Sequence, residues 1–243
     1  TIKDGGDHWI INGSKMWITN ASYAHQFVVY GTIDPAKKHK GISAVVVPAD
    51  TKGIVIGKKE DKMGHRSSDT RGIQFDNVKV PKENMLGAPG EGWSIAMKTL
   101  DHSRPLVASS AVGGSQRALD CSIEYANQRN QFGTPIAKHQ AIQFMIADMA
   151  MKTEASRLLV HKAAWLLDNG QRNTEVASYA KAFAADSCMQ NTTDAVQIYG
   201  GYGYSKEYPV EKPLWAASPL AGLRLMVSSA TSFLQSFIQG RTQ

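Results

Sequence analysis

A tryptophan and a threonine two positions apart are the first residues in this sequence that could serve a redox cofactor. Trp17, Ile18 and Thr19 end a run of strand-forming residues, so Trp17 and Thr19 are expected on one face of a strand. An indole plane beside a hydroxyl suits an isoalloxazine ring, whose N5 atom needs a hydrogen-bond partner. The alternative is a core tryptophan with a cross-strand threonine, and it is the stronger interpretation of this pair taken alone.

Three further segments indicate contacts with charged or phosphorylated groups. Asp101 and Arg104 place a carboxylate beside a guanidinium at the predicted start of a helix, as an ion pair or as a substrate clamp. Arg129 and Phe132 place a cation and an aromatic ring three residues apart at the predicted end of a helix. Residues 194–203 end another predicted helix in a glycine turn, where bare backbone can approach a diphosphate.

Several common catalytic motifs are missing from the sequence. It contains no His-Glu-x-x-His, no paired Cys-x-x-Cys and no P-loop, which argues against zinc hydrolysis and P-loop phosphoryl transfer. We therefore expect no metal site. The run Gly200-Gly201-Tyr202-Gly203 resembles part of a dinucleotide fingerprint, but it follows a predicted helix instead of a strand, which argues against a Rossmann motif.

Composition and charge limit the classes of partner. The 243 residues include 42% hydrophobic residues and carry a formal charge of +6, typical of a globular protein with acidic partners. The densest basic run, Lys37 to Lys40, is too short and too poor in aromatic residues for a nucleic-acid groove, so we expect no nucleic acid. It could meet phosphates of a small ligand or form a solvated turn. No apolar stretch is long enough to span a membrane, and two cysteines inside helical patterns indicate a reducing compartment.

Residues 1–88 have the composition of strands and turns. The six candidate strands cover residues 8–11, 15–19, 26–30, 42–47, 53–57 and 73–81. Asn12-Gly13 predicts a hairpin turn that joins the first two. We expect this part of the chain to be a small β-barrel or β-sandwich.

The period changes after residue 88, where apolar residues recur at spacings of three and four. Helices are predicted over residues 93–119, 119–129, 137–169 and 174–199. Short polar connections predict an antiparallel four-helix bundle over residues 89–212, so the fold class is α+β with more than one domain. A third segment, residues 213–243, contains Arg224 and Arg241 but no Asp or Glu.

The order of these segments closely resembles the acyl-CoA dehydrogenase family, and within it the medium-chain type. The resemblance covers about residues 7–212. The matching strings are residues 11–20, 63–72, 80–84, 129–133, 139–142, 197–203 and 207–212. It implies the middle β domain and the C-terminal helical domain of the family, without its N-terminal helical domain. It also implies a tetramer built from dimers, FAD as cofactor, acyl-CoA as substrate, electron-transfer flavoprotein as partner, and fatty acid β-oxidation in the mitochondrial matrix.

Matches to individual residues imply roles for three groups of side chains. Flavin-ring contacts are implied for Trp17, Ile18 and Thr19. Further FAD contacts, made to the cofactor of a neighbouring subunit, are implied for Arg129, Gln131, Phe132, Gln197, Gly200 and Gly201, with His139 and Gln140 as an additional cofactor-contact pair. Acyl-CoA contacts are implied for Asp101, Ser103 and Arg104. Gln131 departs from the Thr or Ser that is common at its position in the family.

The sequence departs from the family at the catalytic base. In the family a carboxylate removes the α-proton of the thioester while the β-hydrogen leaves as hydride to the flavin. The two positions that carry this carboxylate match Arg224 and Ser103 here, and the last carboxylate side chain in the chain is Glu211. Arginine stays protonated and cannot accept the proton. We therefore expect no catalytic carboxylate and impaired dehydrogenation, made worse by the missing N-terminal domain.

Other functions stay open at this point. The chain could be a non-catalytic FAD-binding, CoA-binding or assembly module that pairs with full-length subunits. The composition after Lys212 also fits a shifted or alternatively spliced reading frame, and hence a product without function. Nucleic-acid binding is the weakest of these alternatives.

Overall fold

The computed structural model describes residues 1–214 and 217. They form two compact units, one over residues 1–100 and one containing the described residues from Asp101 on. The predicted limits 1–88 and 89–212 stay a prediction. Arg224, with nearly all of the predicted third segment, lies outside the described residues.

The first unit contains seven strands arranged in two sheets. The strands are β1 (Ile2–Asp4), β2 (His8–Thr19), β3 (Gln26–Thr32), β4 (Ile42–Pro48), β5 (Ile54–Lys59), β6 (Thr70–Pro81) and β7 (Met85–Leu86). The larger sheet has the order β1-β2-β6-β5 and the smaller has the order β3-β4-β7, with antiparallel neighbours throughout.

The two sheets are open, and they share one core. Apolar residues of the larger sheet, among them Ile11 and Phe75, cluster with Phe27 and Val45 of the smaller sheet. Strands β1 and β5 are the free edges of the larger sheet, so the sheet does not close on itself. The barrel alternative is therefore wrong. Two open sheets with a common core correspond to the sandwich alternative.

The predicted hairpin at Asn12-Gly13 is also wrong. Strand β2 runs without a turn from His8 to Thr19 and pairs along its length with β6, with a register shift between Ile11 and Gly13. The Asn12 side chain donates to Oδ1 of Asn77 and accepts from the Asn77 N–H, at 3.1 and 2.8 Å. A partner 65 positions away thus uses the polar side chain that would otherwise form the turn.

Three long helices follow in the described part of the chain. They are α1 (Gly92–Gln128), α2 (Gln140–Asp168) and α3 (Thr174–Tyr199), and a small hairpin of β8 (Asn130–Gln131) and β9 (Thr134–Pro135) joins α1 to α2. The two helices predicted over 93–119 and 119–129 are one helix, and Asp101 lies inside it instead of at a helix start. Residues 211–214 are helical as well. No helix in the described residues is long and apolar enough to cross a membrane.

Helices that follow one another in the chain pack antiparallel, α1 with α2 and α2 with α3. Ala118 and Ala126, late in α1, cluster with Met149 early in α2 and Ala195 late in α3. A second cluster joins the earlier part of α1 to the end of α2 and the first half of α3. Because most of these positions are alanines, the helix backbones can approach closely. The antiparallel arrangement of the bundle helices is confirmed for the described residues.

Candidate cofactor site

The predicted flavin-ring residues lie at a β-bulge near the end of β2. Lys15 pairs with Ile73 and Ile18 with Arg71, so two residues of β2, Met16 and Trp17, oppose the single residue Gly72. Trp17 adopts a φ of 63° and its side chain is 64% exposed. Such a backbone conformation is unfavourable for a bulky residue.

The bulge explains why Trp17 is on the surface. The sulfur of Met16 lies where a side chain on Gly72 would begin, 2.7 Å from an ideal Cβ position, so Met16 covers the opposing strand. Ile18 packs against the sandwich core, whereas Trp17 and Thr19 are both exposed. The core-tryptophan alternative therefore does not apply to Trp17.

A second group of predicted residues surrounds a pocket of about 520 Å³ in the second unit. Its lining includes six of the residues predicted to contact FAD: Arg129, Gln131, Phe132, His139, Gly200 and Gly201. Gln140 and Gln197 are not in the lining; both side chains are exposed, on α2 and α3 respectively. The pocket is large enough for part of a dinucleotide.

The β8–β9 hairpin presents Phe132 at this pocket. Phe132 and Gly133 both have positive φ, 53° and 75°, as the two central residues of a tight hairpin turn require. Phe132 is 94% exposed, and its ring makes an edge contact with the ring of His139 at 6.1 Å between centroids. A strained backbone that displays an aromatic ring to solvent is typical of a binding site.

Arg129 carries the positive charge of the pocket. Its guanidinium carbon lies 5.5 Å from the centroid of the Tyr202 ring. The Arg129 carbonyl accepts from the Ile136 N–H at 2.8 Å, which fixes the base of the hairpin. Among residues 1–214, Arg129 has no carboxylate within salt-bridge distance, so its charge is available to a phosphate.

Stacked tyrosines form the floor of the pocket. The rings of Tyr125 and Tyr199 are stacked at 4.0 Å, and the Tyr199 hydroxyl donates to the Cys121 carbonyl at 3.1 Å. Burial raises the pKa of Tyr199 to about 12, with smaller contributions from neighbouring acidic groups, chiefly Cys121 and Glu124. Burial likewise raises the pKa of Tyr125. Both rings are therefore neutral stacking surfaces at physiological pH.

The glycine turn after α3 supplies bare backbone. Gly200 ends the helix with a φ of 60°, and a Cβ added at Gly200 or Gly201 would meet no other atom within 4 Å. The third glycine is different, because a Cβ on Gly203 would lie 2.4 Å from the Val196 carbonyl oxygen. The first two glycines thus leave open space beside the pocket, and Gly203 lets the turn pack onto α3.

The predicted acyl-CoA segment lies within α1. Arg104 is buried, and its Nη1 lies 3.5 Å from Oδ1 of Asp101. The other Asp101 oxygen accepts from the Thr174 hydroxyl at 2.6 Å. Of the two interpretations of Asp101 and Arg104, the ion pair is therefore the one observed, and Ser103 beside it is partly exposed.

Sequence reasoning missed the tyrosines of the pocket and one acidic residue of the sandwich. Tyr125 lies on α1 four positions before Arg129, which directly follows the helix, and this helical spacing could have identified Tyr125. Tyr202 reaches Arg129 only through the tertiary fold, so no local signal existed. Asp69, which binds the turn after Thr19, was missed for the same reason. No group of three or more His, Cys, Asp or Glu side chains in the described residues could hold a metal ion.

The chain thus consists of an open β-sandwich and an antiparallel helical unit, and the helical unit contains a cationic and aromatic pocket. The family model described as acyl-CoA dehydrogenase, middle domain, matches residues 1–78, and that described as acyl-CoA dehydrogenase, C-terminal domain, matches residues 90–221. The chain belongs to the acyl-CoA dehydrogenase family, so the predicted resemblance to the family is confirmed, whereas the medium-chain type stays a prediction.

Individual relatives agree with this assignment. The short-chain specific acyl-CoA dehydrogenase, mitochondrial, of Mus musculus is 46% identical over 212 residues, which are 87% of this chain and 52% of the relative. The structure of butyryl-CoA dehydrogenase from Megasphaera elsdenii matches with a TM-score of 0.88 at 44% identity, covering 96% of this chain and 62% of that one. A structure described as the electron transferring flavoprotein of Acidaminococcus fermentans matches with a TM-score of 0.88 at 44% identity, covering 95% of this chain and 62% of that one.

The matches cover part of each relative and give the cofactor and the reaction class of the family. The chain spans about half the length of the curated relatives it matches. Members of the family are FAD flavoproteins and oxidoreductases, and the α+β fold class is confirmed. Relatives include both a mitochondrial and bacterial proteins, so the compartment does not follow from family membership.

Proposed function

We propose that this chain provides the FAD-binding part of an acyl-CoA dehydrogenase that acts on fatty acyl-CoA thioesters. The observation that carries the proposal is the pocket of the second unit, where six residues matched to FAD contacts from the sequence alone line one cavity. They come from the β8–β9 hairpin, the start of α2 and the turn after α3. Separate parts of the chain thus converge on one binding site.

The residues fit FAD in their chemistry. The exposed Trp17 and Thr19 offer an aromatic face and a hydroxyl to a flavin ring. In the pocket, Arg129 offers a cation to the diphosphate, and Gly200 offers open backbone. FAD, when bound, supplies a two-electron acceptor for hydride. As in the family, we propose that the pocket of one chain serves the FAD of a neighbouring chain.

Asp101 and Arg104 were predicted to contact acyl-CoA, but in the structure they contact each other. Asp101 contacts Arg104 within α1 and accepts from the Thr174 hydroxyl at the start of α3, so both of its oxygens already have partners within the protein. We propose that this pair holds the helix while the partly exposed Ser103 faces the acyl-CoA. The Lys37–Lys40 run, part of an exposed turn, is a second place where CoA phosphates could be met.

The proposal includes impaired chemistry in this chain. Proton removal from the α-carbon needs a carboxylate above it, with a pKa raised by desolvation. Ser103 cannot act as such a base, and the residue at the alternative position is Arg224, which lies outside the described residues. We expect this chain to bind its ligands and to turn over slowly, by a factor of about 100 or more compared with a family member that has the base.

The remaining partners are proposed from the family. We propose electron-transfer flavoprotein as the electron acceptor and the mitochondrial matrix as the location; the mouse relative is described as mitochondrial. A homo-oligomer is supported by one surface of α2, which we call the α2 stripe. It consists of four apolar side chains seven positions apart, each more than half exposed: Phe144, Met151, Leu158 and Trp165.

Two measurements test the function. Purified chain is mixed with FAD, separated from free flavin, and examined for a bound-flavin absorption spectrum. Reduction of an artificial electron acceptor with octanoyl-CoA is then followed. We expect bound flavin with little or no turnover. A colourless protein would contradict the FAD proposal, and rapid turnover would contradict the proposed loss of the base.

A further inference from the structure

Asp69 is a buried carboxylate next to the predicted flavin-ring residues, and the proposed function gives it no role. It immediately precedes β6, where Thr70 pairs with Thr19 of β2. Its side chain is 4% exposed. The carboxylate accepts hydrogen bonds from the Ser22 N–H at 3.1 Å, the Ser22 hydroxyl at 2.9 Å and the Arg71 Nε at 2.8 Å.

The main chain of Asp69 binds the same turn. Its carbonyl oxygen accepts from the Asn20 N–H at 2.8 Å. The Asn20 carbonyl in turn accepts from the N–H groups of Tyr23 and Ala24, each at 3.0 Å. The turn that follows Thr19 is therefore fastened to Asp69 by both main-chain and side-chain bonds.

The backbone on both sides of Ile18 and Thr19 is strained. Trp17 and Asn20 have φ values of 63° and 58°, and these two left-handed residues lie on either side of Ile18 and Thr19. Such conformations persist only where surrounding contacts determine them. Next to Trp17 the contact is that of the Met16 sulfur over Gly72. At Asn20 it is the hydrogen bond from the Asn20 N–H to the Asp69 carbonyl, together with the other bonds of the turn to Asp69.

Arg71 extends the connection to the next strand. It lies opposite Ile18 across the β2–β6 pairing, and its Nη1 donates to the Gly57 carbonyl in β5 at 3.1 Å. The Asp69–Arg71 pair thus links the turn after Thr19 to two neighbouring strands. The polar atoms of Asp69 bond to Asn20 and Ser22, and therefore act on Trp17 and Thr19 through the backbone of the turn.

We propose that Asp69 is a positioning residue, which holds the strained segment Trp17–Thr19 in the geometry that binds a flavin ring. The inference rests on the proposed FAD function. A rigid segment presents its indole and hydroxyl without paying an ordering cost when the ligand binds. Loss of the Asp69 side-chain bonds leaves the turn held by the Asn20 N–H to Asp69 carbonyl bond alone, so the turn and the segment before it sample other backbone states more often.

The test compares Asp69→Asn with Asp76→Asn, the same substitution at an exposed position of β6. Peptide-resolved hydrogen exchange is measured without FAD, and the affinity and visible spectrum of FAD are measured afterwards. In Asp69→Asn we expect exchange in residues 16–24 to be about tenfold faster and FAD to bind about tenfold more weakly, with a changed flavin band. Asp76→Asn should match the parent chain. Ser22→Ala, which removes one donor, should show a smaller effect in the same direction.

The outcomes separate this inference from the function it rests on. Faster exchange in residues 16–24 together with FAD binding equal to that of Asp76→Asn would overturn the positioning role, because Asp69 would then serve the fold alone. Unchanged exchange would overturn it as well. If the parent chain binds no FAD, the proposed function fails, and exchange alone decides: faster exchange confined to residues 16–24 supports the holding role, and faster exchange throughout both sheets contradicts it.

Discussion

Asn173 supplies the hydrogen bond that Pro105 cannot make. In an uninterrupted helix the N–H of residue 105 would donate to the Asp101 carbonyl, but proline has no N–H. The Nδ2 of Asn173 lies 3.0 Å from that carbonyl oxygen and 3.2 Å from the Ala163 carbonyl oxygen in α2. One buried amide therefore lets α1 continue past Pro105 and joins α1 to α2.

Replacing Asn173 with alanine should destabilise the second unit. One partly buried and one buried hydrogen bond would be lost, at a cost of about 2 kcal/mol or more in the free energy of unfolding. Asn169→Ala is the matched control, because the Asn169 amide donates only to Trp165 in its own helix and is exposed. Urea unfolding followed by far-UV circular dichroism measures both. Equal stability of the two variants would contradict the bridging role.

The glycine turn after α3 allows stability and ligand binding to be separated. A methyl group on Gly203 would lie 2.4 Å from the Val196 carbonyl oxygen, so Gly203→Ala should lower the free energy of unfolding by about 2 kcal/mol. Gly201→Ala adds its methyl group to open space and should leave stability nearly unchanged. Because Gly201 lines the pocket, that variant should weaken FAD binding instead. Thermal unfolding and flavin titration check the two effects, and a stable Gly203→Ala protein would contradict the packing argument.

The local sequence pattern predicted the long helices and most strands. It failed where hydrogen bonds to residues far away in the sequence determine the local conformation. Asn12-Gly13 is a strong turn signal, but the bonds to Asn77 keep β2 extended. Pro105 favours a helix start near Asp101, but Asn173 compensates for the missing N–H. Neither partner is visible in a window of adjacent residues. Local conformational preference is weaker than a satisfied buried or cross-strand hydrogen bond.

In the candidate site, too, some residues were predictable from local motifs and others depend on distant contacts. Residues identified by motif, such as Arg129 and Gly200, converge on one pocket because each ends or begins a helix at the same side of the second unit. Tyr202 and Asp69 lie inside strings that match the family, but no role could be assigned to them, because their contacts are with residues 73 and 47 positions away. Strain at Trp17 was also beyond prediction, because the bulge depends on the register between β2 and β6.

Arg129 should contribute charge to FAD binding. Arg129→Ala removes the pocket cation, and we expect the affinity for FAD to fall about tenfold or more, as for loss of a charge-assisted hydrogen bond. Arg117→Ala removes an exposed arginine from α1, the helix that ends just before Arg129, and should leave affinity unchanged. Isothermal titration at two salt concentrations checks the result, because the contribution of Arg129 should weaken as salt increases. Equal affinities for the two variants would exclude Arg129 from the site.

Tyr199 predicts a loss of stability at alkaline pH. Its pKa of about 12 in the folded chain exceeds the ordinary value of about 10, so the unfolded chain releases this proton first. The stabilisation is complete below about pH 10 and is lost as the pH rises through the folded value. Tyr199→Phe should therefore show a shallower decrease in unfolding free energy above about pH 10 than the parent chain. Tyr204→Phe, at a side chain that is 91% exposed, is the control and should retain the parent slope.

The α2 stripe carries the last prediction, which concerns association. Its four apolar side chains extend over about 32 Å of helix, since 21 residues separate the first from the last and the rise is about 1.5 Å per residue. Asp148 and Lys162 lie beside the stripe at nearly equal distances from its centre, and both are exposed. If a second copy packs antiparallel on the stripe, each Asp148 faces the other copy's Lys162. The charges therefore favour a second copy of this chain as the occupant.

Two sets of variants test that arrangement. Leu158→Glu should shift the mass measured by light scattering towards the monomer, whereas Val55→Glu, at an equally exposed apolar residue of the sandwich, should not. Asp148→Lys should weaken association by placing like charges together, and adding Lys162→Asp should restore it. Restoration by the double exchange requires the antiparallel pairing, because only that pairing brings the two positions together. A parent chain that is monomeric at all concentrations, or a double variant no better than Asp148→Lys alone, would contradict a second copy packed antiparallel on the α2 stripe.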